Sequence, residues 1–330
     1  MIMLMLLMIM FILILMFMCS SSFIMSWILL ECNTMSFLSL MCLNSKLHKF
    51  SFLSSYFLIQ VLSSSLLLVS LGLMNLELNL LISSMYMLYN FSLCIKIGLA
   101  PFHMWVVNLS VSSSWLGIFM LSSVQKIMPM ILLSWNMMSW FIIILSIYSL
   151  LVVIYNMLGL ISIKLIFGYS MLTHSSWMSL MLVNMYWWLI YFILYTFLLM
   201  LICVVNSFLR VEDISDMSKL SSLNIFMKVF YMLNLLSMMG LPPFVGFLIK
   251  WMILSELFSF ISYFIVLLII LTSLINLYMY MRLLLWVMFI YSGKSVQFKN
   301  FFWNKVILMN YYVYFSSFIL IFLMYYLINL

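Results

Sequence analysis

Charge is what this chain has least of. Charged side chains make up 6% of its 330 residues against 68% hydrophobic, and no soluble domain of this length is built that way. The longest polar connections, about 210–222 and 286–305, are too short to fold as domains, which excludes a nucleotide, haem or flavin site on a soluble lobe. Glycine-rich phosphate loops, Ser/His/Asp sets and His/Cys metal spacings are also missing. The five cysteines (Cys19, Cys32, Cys42, Cys94, Cys203) form no CxxC and lie inside apolar stretches, so they read as buried small hydrophobes, with no metal site and no disulfide framework. Met1 opens directly onto apolar sequence, with no basic leader, polar cleavage site or Arg-rich amphipathic presequence, so the first stretch reads as a retained span.

What remains is hydrophobic sequence, with a mean hydropathy of +1.32. A membrane span needs about 20 apolar residues, and eleven segments qualify: 2–19, 23–43, 51–74, 78–107, 115–137, 139–160, 162–185, 187–209, 223–254, 257–285 and 306–328. The basic pI of about 9.1 points to no nucleic acid once the charges are located. Lys96, Lys126, Lys228 and Lys250 lie within spans, while Lys46, Lys49, Lys164, Arg210, Lys219, Arg282, Lys294, Lys299 and Lys305 lie near connections. Threading the spans alternately puts all of the second group on the face that carries the N-terminus. Glu77 and Glu256 mark the other face. Such asymmetry is the positive-inside pattern, and it puts the basic face on the side of synthesis.

Two spans are interrupted at matching positions. The fourth carries Lys96-Ile-Gly-Leu-Ala-Pro101-Phe-His103, and the ninth carries Gly240-Leu-Pro-Pro243-Phe-Val-Gly246-Phe-Leu-Ile-Lys250. Each is the fourth element of a group of five, and groups with an odd number of spans run in opposite senses through the bilayer. Paired Gly/Pro interruptions in opposed groups point to inverted repeats with a transport path through both breaks. The expectation is an all-α polytopic membrane protein: one membrane domain of about eleven helices, with a first repeat at 1–137, a second inverted repeat at 139–285 and a C-terminal helix at 306–328.

Ionisable groups inside such spans are costly and mark ion pathways. Glu31 lies eight residues into the second span, ~12 Å along a helix, and needs a partner to stay charged. Lys96 is the natural one, either as a working pair or as a structural one. Lys126 is central in the fifth span beside Gln125 and Pro129, with no acid in its own helix, and a lysine buried in this way is readied for proton exchange. Lys250 follows the double-proline break and precedes Trp251, which leaves an interfacial anchor as the alternative to a transport role. His174 is central in the seventh span among Thr173, Ser175 and Ser176; a relay and a hydrogen-bonded structural histidine both fit. His103, after Pro101, is a candidate entry group or a polar helix end. Single ionisable groups separated by Ser, Thr, Asn and Tyr suit proton hopping better than passage of a larger solute.

The segments Lys96-Ile-Gly-Leu-Ala-Pro-Phe-His-Met-Trp105, Gln125-Lys126-Ile-Met-Pro129 and Gly240-Leu-Pro-Pro-Phe-Val-Gly-Phe-Leu-Ile-Lys-Trp251 resemble the chain 2 family of antiporter-like subunits of animal mitochondrial NADH:ubiquinone oxidoreductase, respiratory complex I. Leu30-Glu31 and Tyr56-Phe-Leu-Ile-Gln60 fit the same pattern in the same order. The resemblance implies an antiporter-like fold of fourteen helices shortened by three in animals. It implies a translocase subunit of the mitochondrial inner membrane with its N-terminus on the matrix side and its C-terminus on the intermembrane-space side. Protons would pass by Glu31 paired with Lys96, by Lys126 as central carrier, and by Lys250 toward the exit. It further implies that NADH, FMN, iron–sulfur clusters and ubiquinone are held by other subunits, with no cofactor here. Implied partners are the other hydrophobic membrane-arm subunits, neighbouring antiporter-like subunits among them, accessory subunits, and lipids such as cardiolipin. The chain departs from the family pattern at Lys164-Leu165, at Ser176 and at Val106-Val107. A free-standing cation/proton antiporter shares the inverted-repeat logic and stays open as the alternative.

Overall fold

A computed structural model describes residues 2–44, 50–74, 82–135, 139–157, 159–223, 225–260 and 263–292. Among them the regular structure is helical, apart from one isolated bridge between Ser162 and Asp213. In chain order the helices are α1 (Ile2–Cys19), α2 (Phe23–Asn44), α3 (Phe50–Met74), α4 (Ile82–Ile97), α5 (Met104–Ser112), α6 (Trp115–Ser122), α7 (Val124–Trp135), α8 (Ser139–Met157), α9 (Ile163–Leu180), α10 (Met185–Leu209), α11 (Ile225–Met239), α12 (Val245–Phe260) and α13 (Tyr263–Ser292). Seven stretches among the described residues are long and apolar enough to cross a membrane, one of them, Trp115–Trp135, made of α6 and α7 together. The last expected span, 306–328, lies outside the described residues, as do Lys46, His48, Lys49, Glu77, Lys294, Lys299 and Lys305.

The chain packs as two compact units, Met1–Met157 with Lys164–Phe192, and Leu158–Ile163 with Ile193–Leu330. In the first unit α1 pairs with α2 and α3 with α4, while α7 packs against α1, α2 and α4. Position dictates composition here: α1 is apolar all round and its flanks face outward, whereas α7 buries Gln125, Lys126 and Met128 through Leu133. In the second unit α11 packs on α12 and α13, and the 3-10 turn Ile214–Ser222 packs on α13. The cysteines correct one sequence expectation. Cys94 and Cys203 are buried, but Cys19 and Cys32 face outward and Cys42 is half-buried, because a thiol is apolar enough to sit at a lipid-facing position.

Both sequence-expected breaks are present. α4 stops at Gly98, whose φ is +83°. The Leu99 amide reaches back to the Cys94 carbonyl at 3.1 Å and the Gly98 amide to Ile95 at 3.1 Å, a Schellman cap that needs a left-handed residue at this point. The chain then crosses the Ala100–Pro101 peptide, which is cis, and restarts as α5. Gly240, φ +76°, separates α11 from α12 in the same way. A third interruption, at Ser123 between α6 and α7, has neither Gly nor Pro to announce it. There Ser122 and Ser123 both donate to the Phe119 carbonyl, at 2.8 and 2.7 Å, and such bonds compete with the helix ladder.

Close helix approach fixes two further glycines. A Cβ at Gly246 would run into the backbone carbonyl of Ser237, and one at Gly168 into the Ser110 hydroxyl. Replacing Gly246 by Ala should destabilise the subunit by roughly 1–3 kcal/mol of overpacking. Gly72 has open space around its Cβ position, so Ala there should be neutral or stabilising by up to about 1 kcal/mol. Thermal unfolding of the solubilised protein, with the two variants side by side, checks this contrast. On the polar loop, Asp216 accepts from Lys219 at 2.7 Å and from the Glu212 and Asp213 amides at 3.1 and 3.2 Å. The Lys219 hydrogen bond, helped by the two amides, holds the Asp216 carboxyl below the usual carboxylate range. A depressed folded value means the stabilisation is present at neutral pH and is lost as pH falls through that value. Protection of the Glu212 and Asp213 amides, measured relative to intrinsic exchange at each pH, should therefore fall in acid, and Asp216→Asn should show the lower protection already at neutral pH.

Candidate functional site

The best-defined charged contact is the ion pair of Lys96 on α4 with Glu31 on α2. Lys96 Nζ donates to Glu31 Oε1 at 2.8 Å, with the lysine side chain 1% exposed and the carboxylate 20%. The charge therefore ends at a glutamate that keeps one side open. Around it, the Tyr56 ring packs on Trp105 with centroids 5.3 Å apart and on Phe37 at 5.6 Å. The Trp105 indole donates to the Ile95 carbonyl at 3.2 Å. This carbonyl belongs to the last turn of α4, beside Lys96, so the tryptophan after the break ties the restart to the helix end that carries the lysine. The sequence expectation that Glu31 and Lys96 meet is met by geometry.

Lys126 sits in the first turn of α7 because of the Ser123 interruption, rather than in the middle of an unbroken helix. It is 2% exposed, and its ammonium donates to the Met171 carbonyl of α9 at 3.0 Å. Among the described residues no carboxylate lies within ion-pair distance of it. Pro129, inside α7, lacks the N–H that would bond the Gln125 carbonyl four residues back. The Gln125 side chain meanwhile donates to the Asn33 carbonyl of α2 at 3.4 Å. A single backbone carbonyl thus meets this ammonium where an acid does not.

His174 lies one turn beyond Met171 on α9, and its Nδ1 is 2.7 Å from the Tyr191 hydroxyl. Of the polar residues flanking it, Thr173 bonds to Ser170, Ser175 to Leu172, and Ser176 to Leu172, each through a carbonyl of the same helix. Ser176 also meets Ser149 of α8 at 2.5 Å. Most of these hydroxyls are committed locally. The structure brings Lys126 and His174 to neighbouring turns of one helix. His103 precedes α5 without a side-chain capping bond; its Nδ1 lies 3.2 Å from the Pro101 carbonyl, and its buried Nε2 meets no hydrogen-bonding partner among the described residues.

In the second unit Lys250 of α12 turns back across the break and donates to the Met239 carbonyl, the last residue of α11, at 2.7 Å. A helix C-terminus carries unsatisfied carbonyls and partial negative charge, so an ammonium is well placed there. Gly240 makes room for it. A Cβ at that position would lie 2.9 Å from Lys250 Nζ and 3.0 Å from its Cδ. The Lys250 side chain is 9% exposed and committed to this carbonyl.

One residue that the charge map gave to a connection is buried: Lys164, at the second position of α9, is 5% exposed. Among the described residues no group of three His, Cys, Asp or Glu side chains could hold a metal ion.

Comparison with known proteins agrees with this architecture. Residues 20–276 match the family described as NADH:quinone oxidoreductase/Mrp antiporter, transmembrane. The chain is 34% identical to NADH-ubiquinone oxidoreductase chain 2 of Anopheles gambiae, over 87% of this chain and 86% of that one. It is 31% identical to the protein of that name in Locusta migratoria, over 80% and 79%, and 30% identical to that of Bos mutus grunniens, over 81% and 80%. The fold is similar to a chain of respiratory complex I from Thermus thermophilus with bound aureothin, with a TM-score of 0.74 and 21% identity over 80% of this chain and 65% of that one. A chain of the Mrp complex from Dietzia sp. DQ12-45-1b aligns with a TM-score of 0.67 and 13% identity over 79% and 55%. The chain belongs to the NADH:quinone oxidoreductase/Mrp antiporter family of membrane proteins.

Proposed function

We propose that this chain is a membrane-arm subunit of mitochondrial NADH:ubiquinone oxidoreductase that translocates protons across the inner membrane while electrons pass from NADH to ubiquinone on other subunits. The relatives named NADH-ubiquinone oxidoreductase chain 2, matched over most of their length, support the assembly. The observation that carries the mechanism is Lys126, buried within the first unit with a backbone carbonyl in place of a counter-ion. A carbonyl accepts the hydrogen bond but cannot take the proton. The ammonium is held there until a water or side chain able to accept the proton arrives, and such holding and release is what a carrier requires.

On this reading Glu31 and Lys96 form the loading pair. Separation of the two would leave the Lys96 charge buried and unpaired and the Glu31 carboxylate only partly exposed, which makes their contact a means of driving protonation changes nearby. Lys126 is the carrier, and His174 with its Tyr191 partner is the neighbouring relay. Lys250 is the corresponding station of the second unit, held on a helix end as Lys126 is held on a carbonyl. His103, with one ring nitrogen uncommitted, is an entry group. The chain itself holds no redox cofactor, and its partners are other membrane-arm and accessory subunits together with lipids such as cardiolipin. The basic connections face the matrix along with the N-terminus, and the C-terminus faces the intermembrane space. A protease-sensitive tag at residue 1 would then be protected in mitoplasts, and its cleavage there would reverse the assignment.

Lys126→Met in the assembled complex, reconstituted in liposomes, should lower the protons moved per NADH oxidised while the complex still assembles. Full stoichiometry in that variant would sink the carrier role. The chain reconstituted alone should show no cation-driven proton flux; robust sodium/proton exchange would favour a free-standing antiporter instead. Glu31→Ala strands the Lys96 ammonium and should cost roughly 3–5 kcal/mol, whereas Glu31→Gln keeps an acceptor and should cost less. Thermal denaturation of the assembled complex reads the difference.

A further inference from the structure

One arginine stands outside the lysine chemistry. Arg282 lies on the outward line of α13 between Tyr278 and Trp286, four residues to either side, which are 56% and 48% exposed. It is five residues short of Val287, where the apolar stretch ends, a rise of ~7.5 Å. The line thus carries an arginine flanked by the two aromatic types that gather at the edge of the hydrocarbon layer. An arginine in such a place ordinarily runs its guanidinium out to water. This one turns it back: Nη2 donates to the Leu160 carbonyl, and the buried Nε meets no hydrogen-bonding partner among the described residues.

Two residues on from that carbonyl, the Ser162 hydroxyl is in the same condition, buried and without a partner among the described residues. Each such group costs about 1–3 kcal/mol while it stays buried. Ser162 and Arg282 both keep part of their surface open, so one rotamer step brings the hydroxyl out. An oxyanion accepting from both side chains removes the cost, and phosphate is an anion whose shape the arginine fork fits.

The opposite strand says which phosphate. Ser162 bridges to Asp213, with the Ile163 amide on the Glu212 carbonyl at 3.0 Å and the Ile214 amide on the Ile161 carbonyl at 3.3 Å. Residues opposed in this pattern send their side chains to one face at close range. A carboxylate therefore stands beside the place that a phosphate takes, and it repels a simple anion. A headgroup with a cation next to its phosphate is held at both ends. The exposed charges nearby agree, since Arg210 and Arg282 are matched by Glu212 and Asp213, while Lys219 is committed to Asp216 and to the Arg210 carbonyl. Such a surface suits a ligand of no net charge with its two signs apart. Between the two common headgroups of that kind, ethanolamine offers N–H donors to a carboxylate and choline offers none.

We propose that Arg282 and Ser162 hold the phosphate of a membrane phospholipid and that Asp213 takes its headgroup ammonium, so that the ligand is an ethanolamine phospholipid. All three residues belong to the second unit. The lipid fastens the end of α13 to the 160–163 connection and to the 210–213 segment. This site goes beyond the translocation reading and stands without it.

The test uses the assembled complex in phosphatidylcholine liposomes that carry a trace of photoactivatable phospholipid, with labelled peptides identified by mass spectrometry. A phosphatidylethanolamine probe should label the 278–286 segment more strongly than phosphatidylglycerol or phosphatidylcholine probes with the same tails. Arg282→Gln should lower that labelling about tenfold or more, as loss of a charged hydrogen bond does, and Arg282→Lys should fall between. Asp213→Asn keeps a residue suited to the N-cap and should erase the preference for phosphatidylethanolamine over phosphatidylglycerol, which a merely structural role would leave unmoved. Equal labelling in Arg282→Gln overturns the proposal. Stronger labelling by phosphatidylglycerol in the unaltered complex does so too, as does displacement of the probe by inorganic phosphate, which makes this a site for the free ion. A density map of the complex should show a headgroup against Arg282; another protein chain seated there is a further refutation. Should Arg282→Gln not assemble, the three probes on the unaltered complex and on Asp213→Asn decide.

Discussion

A buried ammonium group must find oxygen, and Lys96, Lys126 and Lys250 each find it on another helix. They solve the problem in three ways. Lys96 takes a carboxylate, Lys126 takes the carbonyl of a neighbouring helix, and Lys250 takes the terminal carbonyl of the helix that precedes its own. Only the last of these is a helix end, left with an open carbonyl by the break that follows it; Met171 lies within α9. The interruptions at Gly98, Ser123 and Gly240 each adjoin one of these lysines, and at Gly240 the break supplies the acceptor itself.

The interruptions depend in turn on a few residues with little freedom. Gly98 supplies a left-handed turn and Gly240 supplies both that turn and the space into which Lys250 folds. Trp105 donates across the first break and holds α5 to the carbonyl end of α4. Aromatic packing of Tyr56 on Trp105 and Phe37 closes the ion pair off from the apolar side. Burial, capping and ring packing are coupled so closely here that the polar site and the helix geometry cannot be varied separately.

Much of this was legible in the sequence because the punctuation is sparse. With eight glycines and four prolines in 330 residues, the Gly-Leu-Ala-Pro and Gly-Leu-Pro-Pro segments stood out as breaks. Glu31 and Lys96 could be paired because each lacked another partner within its own helix. The Ser123 interruption was not legible, since serine is at home in a membrane helix and only the shared Phe119 carbonyl reveals the distortion. Lys126 was assigned to the middle of a span, whereas it lies in the first turn of α7. Lys164 looked like a loop cation because charge counting sees distance to a connection and not burial.

Serine deserves a different valuation from the one a hydropathy scale gives it. α2 has the lowest hydropathy, 1.4, of the seven continuous candidate spans, yet Ser26, Thr34, Ser36 and Ser39 each turn their hydroxyl onto a carbonyl of the same helix at 2.7 to 2.9 Å. A hydroxyl bonded in this way asks nothing of lipid. The segment that an insertion machinery must accept is greasier than its composition states, so a chain of this kind can carry many serines through the bilayer without acquiring a wet surface, and its real polarity is confined to the few side chains that leave the helix to find a partner.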